Sequence, residues 1–346
     1  MPIYIITVLS ATILSGVIKS NKGKDDSKSL NVFLLIVLII GLSLVVGYRY
    51  DVGTDFWEYK RMFSVYKNYS WTSLLKIKEP GIRILIRLCA VISNDYSFYM
   101  FVCALITTAL PIIVLYKHSE NFVVSMMLYL FVNYLAQCNG MRQSLAMAII
   151  FMGYKYIKEK KFWHFLVYPL IATIFHVSSL FVIPIYFIYT SKPGIWVTFL
   201  ILVVTLVLRF SYDWLASSVA FFSGEAFETN SYTNQSVNIL RIVAMSAPIM
   251  LTILLPKQKL QNKSVAFNML LANACVYVCM AGSAYFARLG MFTDMFLCMA
   301  IPSIVSEYDR QDREVAVLIV LTCYAIFFAF NTMRAGNLVP YQSVLW

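Results

Sequence analysis

Apolar residues run along this chain in blocks suited to membrane-crossing helices, far longer than the alternating segments of a barrel strand. The stretches 30–48, 97–116, 122–138 and 264–287 carry no formal charge. At about 1.5 Å per residue each can reach across the hydrocarbon of a bilayer. Blocks 141–157, 194–210, 239–256, 289–306 and 315–330 read the same way. Met1 to Ser15 lacks a basic leader and a small-residue cleavage site, so a first span is expected to be retained there. The stretch 162–191 is expected to split at His176 into two short helices. The stretch 80–94 differs: Arg83 and Arg87 stand one helical turn apart among leucines and isoleucines, the pattern of a helix lying in the interface.

Composition turns this pattern into a class. The chain is 60% hydrophobic, 16% aromatic and 13% charged, with a mean hydropathy of +0.73, more apolar surface than a soluble domain of this size can bury. The expectation is an all-α polytopic membrane protein with about 12 transmembrane helices in a single domain over 1–346. Lysine-dense loops at 19–28, 155–161 and 257–263 are assigned to the cytoplasm by the positive-inside rule. An outer loop with interfacial helices then falls at 49–96 and a second at 211–238. The latter is polar and aromatic, and reads either as a sugar-contacting surface or as a solvated connector.

Charge adds a further cue. The net charge of +11 would point a soluble protein toward nucleic acid; here it is assigned to loops facing anionic lipid, with no nucleic-acid partner. In this topology most lysines lie inside and most arginines outside, which the positive-inside rule alone does not explain. Arginine grips phosphate or carboxylate with a two-pronged fork, whereas lysine acts as a point charge. The outer face therefore reads as built to hold an anion. No phosphate-binding glycine loop is present, and the seven cysteines show no metal-ligand or disulfide spacing, so neither cofactor nor metal is expected.

Five segments bring polar candidates to that face. "YRYDVGTDFWEY" offers Arg49, Asp51, Asp55 and Glu58; Arg142 and Gln143 open a helix; His176 marks the break in "ATIFHVSSLF". Arg288 heads "ARLGMFTDMF", and Arg334 and Tyr341 lie in "TMRAGNLVPYQS". Each has a plainer alternative. Arg49 and Arg288 could snorkel to headgroups, Asp55 with Glu58 reads as a capping box, Asn139 as an N-cap, and His176 as a buried neutral histidine. Asp294, the carboxylate well inside a span, is either paired with a neighbouring helix or part of a polar cavity.

"RYDVGTDFWEYKRMF", the block from "NGMRQSLAMAII" through "FHVSSLFVIPIYF", "ARLGMFTDMFLCMAIP" and the terminal "VPYQS" together resemble the EpsG/Wzy-type bacterial polysaccharide polymerases over effectively the whole chain. The resemblance implies an enzyme at the outer face of the bacterial plasma membrane. It would move a growing glycan from polyprenyl pyrophosphate onto a lipid-linked oligosaccharide repeat unit, with membrane lipid, a chain-length regulator and a flippase as partners. Arg142 and Arg288 would neutralise the departing pyrophosphate, and His176 would act as general base with Asp55 and Asp51 as competitors. Arg49, Asp51, Gln143, Arg334 and Tyr341 would contact substrate. A lipid-linked oligosaccharide flippase and a glycan ligase are the rival readings; a flippase needs cations through the membrane depth, whereas these gather at one face.

Overall fold

The computed structural model describes residues 1–21, 28–192, 195–210, 237–281, 288–334 and 336–345. Most of the expected 211–238 loop, the middle of the 19–28 loop and the end of the 264–287 stretch lie outside the described residues. Regular secondary structure among the described residues is helical, apart from an isolated antiparallel bridge between Arg49 and Ser343. Two compact units are present, Met1–Ile183 with Tyr324–Trp346, and Pro184–Cys323.

The first unit begins with α1 (Pro2–Asn21) and α2 (Lys28–Gly47), followed by the short α3 (Phe56–Tyr66), α4 (Trp71–Leu75) and α5 (Pro80–Ile92). Then come α6 (Tyr96–His118), α7 (Phe122–Val132), α8 (Met141–Met152), α9 (Tyr154–Lys158) and α10 (Phe162–Ala172). Helix α6 packs against α2 and α8, and α10 returns alongside α8. Helices α3 and α5 lie against this bundle through one apolar cluster, in which Tyr59, Phe63, Ile82 and Ile86 meet Tyr99, Met141 and Leu145. In α5, Ile82, Ile86 and Cys89 are buried while Leu88, Val91 and Ile92 are exposed. At 13 residues it is about 20 Å long, too short to cross a bilayer.

The second unit contains most of α11 (Val182–Thr190), then α12 (Ile195–Phe210), α13 (Ile239–Ser246), α14 (Lys257–Asn262), α15 (Ser264–Cys279) and α16 (Met291–Val305). Helix α15 is its hub, packed against α12, α13 and α16. The last helix, α17 (Arg310–Arg334), leads into the C-terminal tail of the first unit.

Among the described residues, five helices are long and apolar enough to cross a membrane: Pro2–Ser20, Lys28–Gly47, Tyr96–His118, Arg288–Val305 and Arg310–Arg334. Several other expected spans are present as shorter or broken apolar helices. The 122–138 stretch changes from α to a 3-10 turn after Asn133, 141–157 breaks at Gly153, and 239–256 becomes 3-10 at Ala247–Thr252. The last change coincides with Pro248, which has no N–H to donate to the preceding turn. The expected break in 162–191 falls where anticipated: α10 ends at Ala172, and His176 caps the 3-10 turn Val177–Phe181.

Candidate functional site

The chain runs out along α8 and α9 and returns along α10. This leaves the lysine-rich turn at one end of the pair, with Arg142 in the first turn of α8 and His176 just beyond α10 at the other. These two residues meet at Glu79. Arg142 Nη1 donates to Glu79 Oε2 at 2.7 Å. The backbone N–H of Val177 donates to Oε1 at 2.9 Å, and His176 Nδ1 lies 3.1 Å from the same oxygen. The Glu79 side chain is 9% exposed, that of His176 26% and that of Arg142 38%. Beneath them, the backbone N–H of Arg142 donates to the hydroxyl of buried Tyr59 at 3.4 Å.

Local chemistry explains how Glu79 reaches this place. Its backbone is left-handed (φ 56°), an uncommon conformation for a residue with a Cβ. Pro80 starts α5 immediately after it, and Arg83 Nη1 donates to the carbonyls of Lys78 and Glu79. The guanidinium of Arg83 in turn lies over the Tyr66 ring. The N–H of Gly81 donates to Ile174 O at 2.8 Å, and a Cβ at Gly81 would stand 2.9 Å from that oxygen, so only glycine permits the approach. The Glu-Pro-Gly turn is thereby docked onto the segment that carries His176.

Burial alone would raise the Glu79 carboxyl pKa. The hydrogen bonds from His176 and Val177 N–H, with the charges of His176 and Arg142, outweigh it and hold the value at about 2. The group is therefore an ionised acceptor near neutral pH.

Other sequence candidates fall elsewhere. Arg49 is buried at 1% exposure, and its Nε and Nη1 donate to the carbonyls of Val52 and Val46. Tyr341 donates its hydroxyl to Val45 O, and the tail pairs with the 48–50 segment through Tyr50 N–H to Gln342 O and Val344 N–H to Tyr48 O. Both side chains thus bond to the chain's own carbonyls where the tail meets the end of α2. Asp51 is exposed and accepts from Trp57 Nε1 at 2.6 Å, and Gln143 is buried. Arg334 is exposed, with its guanidinium over Phe330.

The capping readings need correction. Asp55 stands at the N-cap of α3 without a side-chain cap bond; it accepts from Thr54 Oγ1, while Glu58 pairs with Arg61. Gly140, rather than Asn139, is the N-cap of α8. Asn139 instead accepts from Thr54 N–H at 2.8 Å, tying the 53–54 turn to the approach of α8. Gly53, at φ 92°, leaves no room there for a Cβ beside Cys138 O.

In the second unit Arg288 opens the 3-10 turn before α16 and is exposed. Asp294 resolves as paired with neighbouring helices: Tyr277 of α15 donates to its Oδ2 at 2.7 Å, and Arg241 of α13 lies 3.9 Å from the same oxygen. Arg241 also points Nε and Nη2 at the Tyr277 hydroxyl, each at 3.4 Å.

Sequence reading missed Glu79 as a partner of Arg142 and His176. Its available cue was slight: it is the single acidic residue between Glu58 and Asp95, set among Lys76, Lys78, Arg83 and Arg87. No cluster of metal-ligating side chains occurs among the described residues.

The family model described as "EpsG family" matches residues 32–343, a range containing all three members of the Glu79 cluster. No curated protein and no solved structure matches the chain.

Proposed function

The chain belongs to the EpsG family, and from that premise we propose that it is a polysaccharide polymerase acting on polyprenyl-pyrophosphate-linked oligosaccharides. Membership carries a general role in polysaccharide biosynthesis at the membrane; the reaction, the face and the residues below are our reading. The acceptor sugar hydroxyl attacks the anomeric carbon of the donor glycan. A new C–O bond forms as the bond to the lipid pyrophosphate breaks, and the pyrophosphate leaves with the electron pair.

Two demands follow: charge must be neutralised on the leaving group, and the hydroxyl proton must be accepted. Arg142 suits the first demand, with one nitrogen engaged by Glu79 and much of its side chain open to solvent. A preorganised donor of this kind contributes about 3–4 kcal/mol to a transition state. His176 suits the second as general base. The observation that carries the reading is the convergence on one ionised carboxylate of an arginine from the first turn of α8 and a histidine from the segment just beyond α10. The active face is taken to be external, opposite the lysine-rich turns.

The test is incubation of the purified protein with lipid-pyrophosphate-linked repeat units, followed by separation of products by length. A ladder of multimers is expected. Unchanged substrate, or a single transfer to an unrelated acceptor, would overturn the polymerase reading.

A further inference from the structure

We infer that Glu79 is a positioning residue that selects the basic nitrogen of His176 and couples that base to Arg142. The inference rests on the polymerase reading for its chemistry, but its geometry stands independently.

An ionised carboxylate can only accept hydrogen bonds. Of its two oxygens, Oε2 takes Arg142 Nη1, and Oε1 takes the Val177 N–H and faces His176 Nδ1 at 3.1 Å. A contact between Nδ1 and such an oxygen holds only if Nδ1 carries the proton, which leaves the lone pair of the neutral ring on Nε2. Free imidazole side chains favour the opposite tautomer, so Glu79 imposes a state that His176 would otherwise populate less.

The consequence for transfer is specific. The acceptor hydroxyl gives its proton to Nε2 as its oxygen bonds to the anomeric carbon, and the pyrophosphate departs toward Arg142. The imidazolium so formed is stabilised by the Glu79 carboxylate, which stays ionised throughout. One anionic group therefore orients both the proton acceptor and the cation that meets the leaving group. The left-handed backbone of Glu79, held by Arg83 and by the Gly81 to Ile174 bond, is the kind of strain that persists where the surroundings over-determine a conformation.

The experiment combines nitrogen NMR of the imidazole in full-length protein labelled at histidine with steady-state kinetics. The His176 signal is assigned by its loss in His176→Gln. Wild type is expected to show the Nδ1–H tautomer. Glu79→Gln can keep a carbonyl oxygen toward Val177 and His176, and should retain that tautomer with kcat down about 10-fold. Glu79→Leu should shift His176 toward Nε2–H and lower kcat by ~100-fold or more per folded molecule, the range of a lost general base. An Nε2–H tautomer in wild type, or wild-type kcat in Glu79→Leu, would overturn the inference. Should Glu79→Leu fail to fold, the wild-type spectrum and the Glu79→Gln kinetics decide: unchanged kcat in Glu79→Gln also overturns it. The two readings fail separately. An Nδ1–H signal without a product ladder removes the polymerase and leaves the positioning role, whereas a ladder with an Nε2–H signal does the reverse.

Discussion

Each unit of this protein sets an arginine beside a carboxylate, and the two arrangements differ in almost everything else. Glu79 and Arg142 touch at 2.7 Å at the mouth of a helix pair, joined by a histidine and a backbone N–H. Asp294 and Arg241 stand 3.9 Å apart, bridged by a tyrosine hydroxyl among packed helices. The first carboxylate is supplied by a strained turn and gathers groups able to move protons and meet an anion. The second lies in a helix and, among the described residues, meets a tyrosine hydroxyl and a guanidinium from two neighbouring helices. An arginine paired with an acid is thus a poor marker of function by itself; the other groups on the carboxylate distinguish the proposed reactive cluster from a strut.

The comparison breaks most sharply at Arg142. Arg142→Lys keeps a positive charge but loses the fork, and polymerisation should fall about 10³-fold, the upper range for a lost transition-state donor. Membrane insertion and thermal stability should be preserved. Product ladders made from purified lipid-linked repeats provide the check, and long chains from the variant would remove Arg142 from the leaving-group role.

A pH titration of stability comes next. Glu79 has its pKa lowered from the ordinary 4.5 to about 2 in the folded protein. A depressed carboxylate contributes stability that is fully present above the unfolded value and disappears as pH falls through the folded one. The contribution is on the order of 3 kcal/mol, lost between about pH 4.5 and pH 2. Thermal unfolding in detergent across that window should show a steeper loss for wild type than for Glu79→Gln. Equal slopes would mean that the carboxylate gains nothing from its partners.

Much of the fold was legible because hydrophobic block length is a strong signal. The long spans at Lys28–Gly47 and Tyr96–His118, the amphipathic α5 and the break at His176 all follow from runs of apolar residues and what interrupts them. The switch to 3-10 after Asn133 and the interruption between two α-helices at Gly153 were not legible, because neither changes the hydropathy of its stretch. The candidate site was half legible. Arg142 and His176 stand out as polar residues beside apolar runs, whereas Glu79 comes from a loop whose pairing depends on tertiary docking of Gly81 against Ile174. Arg49 illustrates the converse: an arginine at a helix end looks the same in sequence whether it faces an anion or, as here, turns inward to two backbone carbonyls.

The buried strut predicts a different phenotype. Asp294→Asn removes the charge facing Arg241 while an amide oxygen can still accept from Tyr277. Breaking a well-formed buried pair costs about 3–5 kcal/mol; at 3.9 Å and with Arg241 partly exposed, a loss of about 1–2 kcal/mol is expected by the same reasoning. Polymerisation per folded molecule should stay within about twofold of wild type, the outcome of a stability defect without a catalytic one. A variant with unchanged melting temperature and lost activity would reverse the comparison and move Asp294 into the reactive machinery.

The smallest effect belongs to a third pair, Glu58 with Arg61, which calibrates the other two. Its geometry is as good as that of Glu79 with Arg142: Nε and Nη2 donate to the carboxylate at 3.0 and 2.9 Å. Both side chains are more than half exposed, however, and water competes for every one of those bonds. Glu58→Ala should therefore change the unfolding free energy by about 0.5 kcal/mol or less and leave product length unaltered. Had Glu58 closed a capping box on α3, the loss would be about 1 kcal/mol, so denaturant titrations of the two proteins distinguish the cases. A loss near the larger figure would show that α3 depends on this side chain for its start, and a still larger one would mean that contact distance, rather than burial and shared partners, ranks the three pairs.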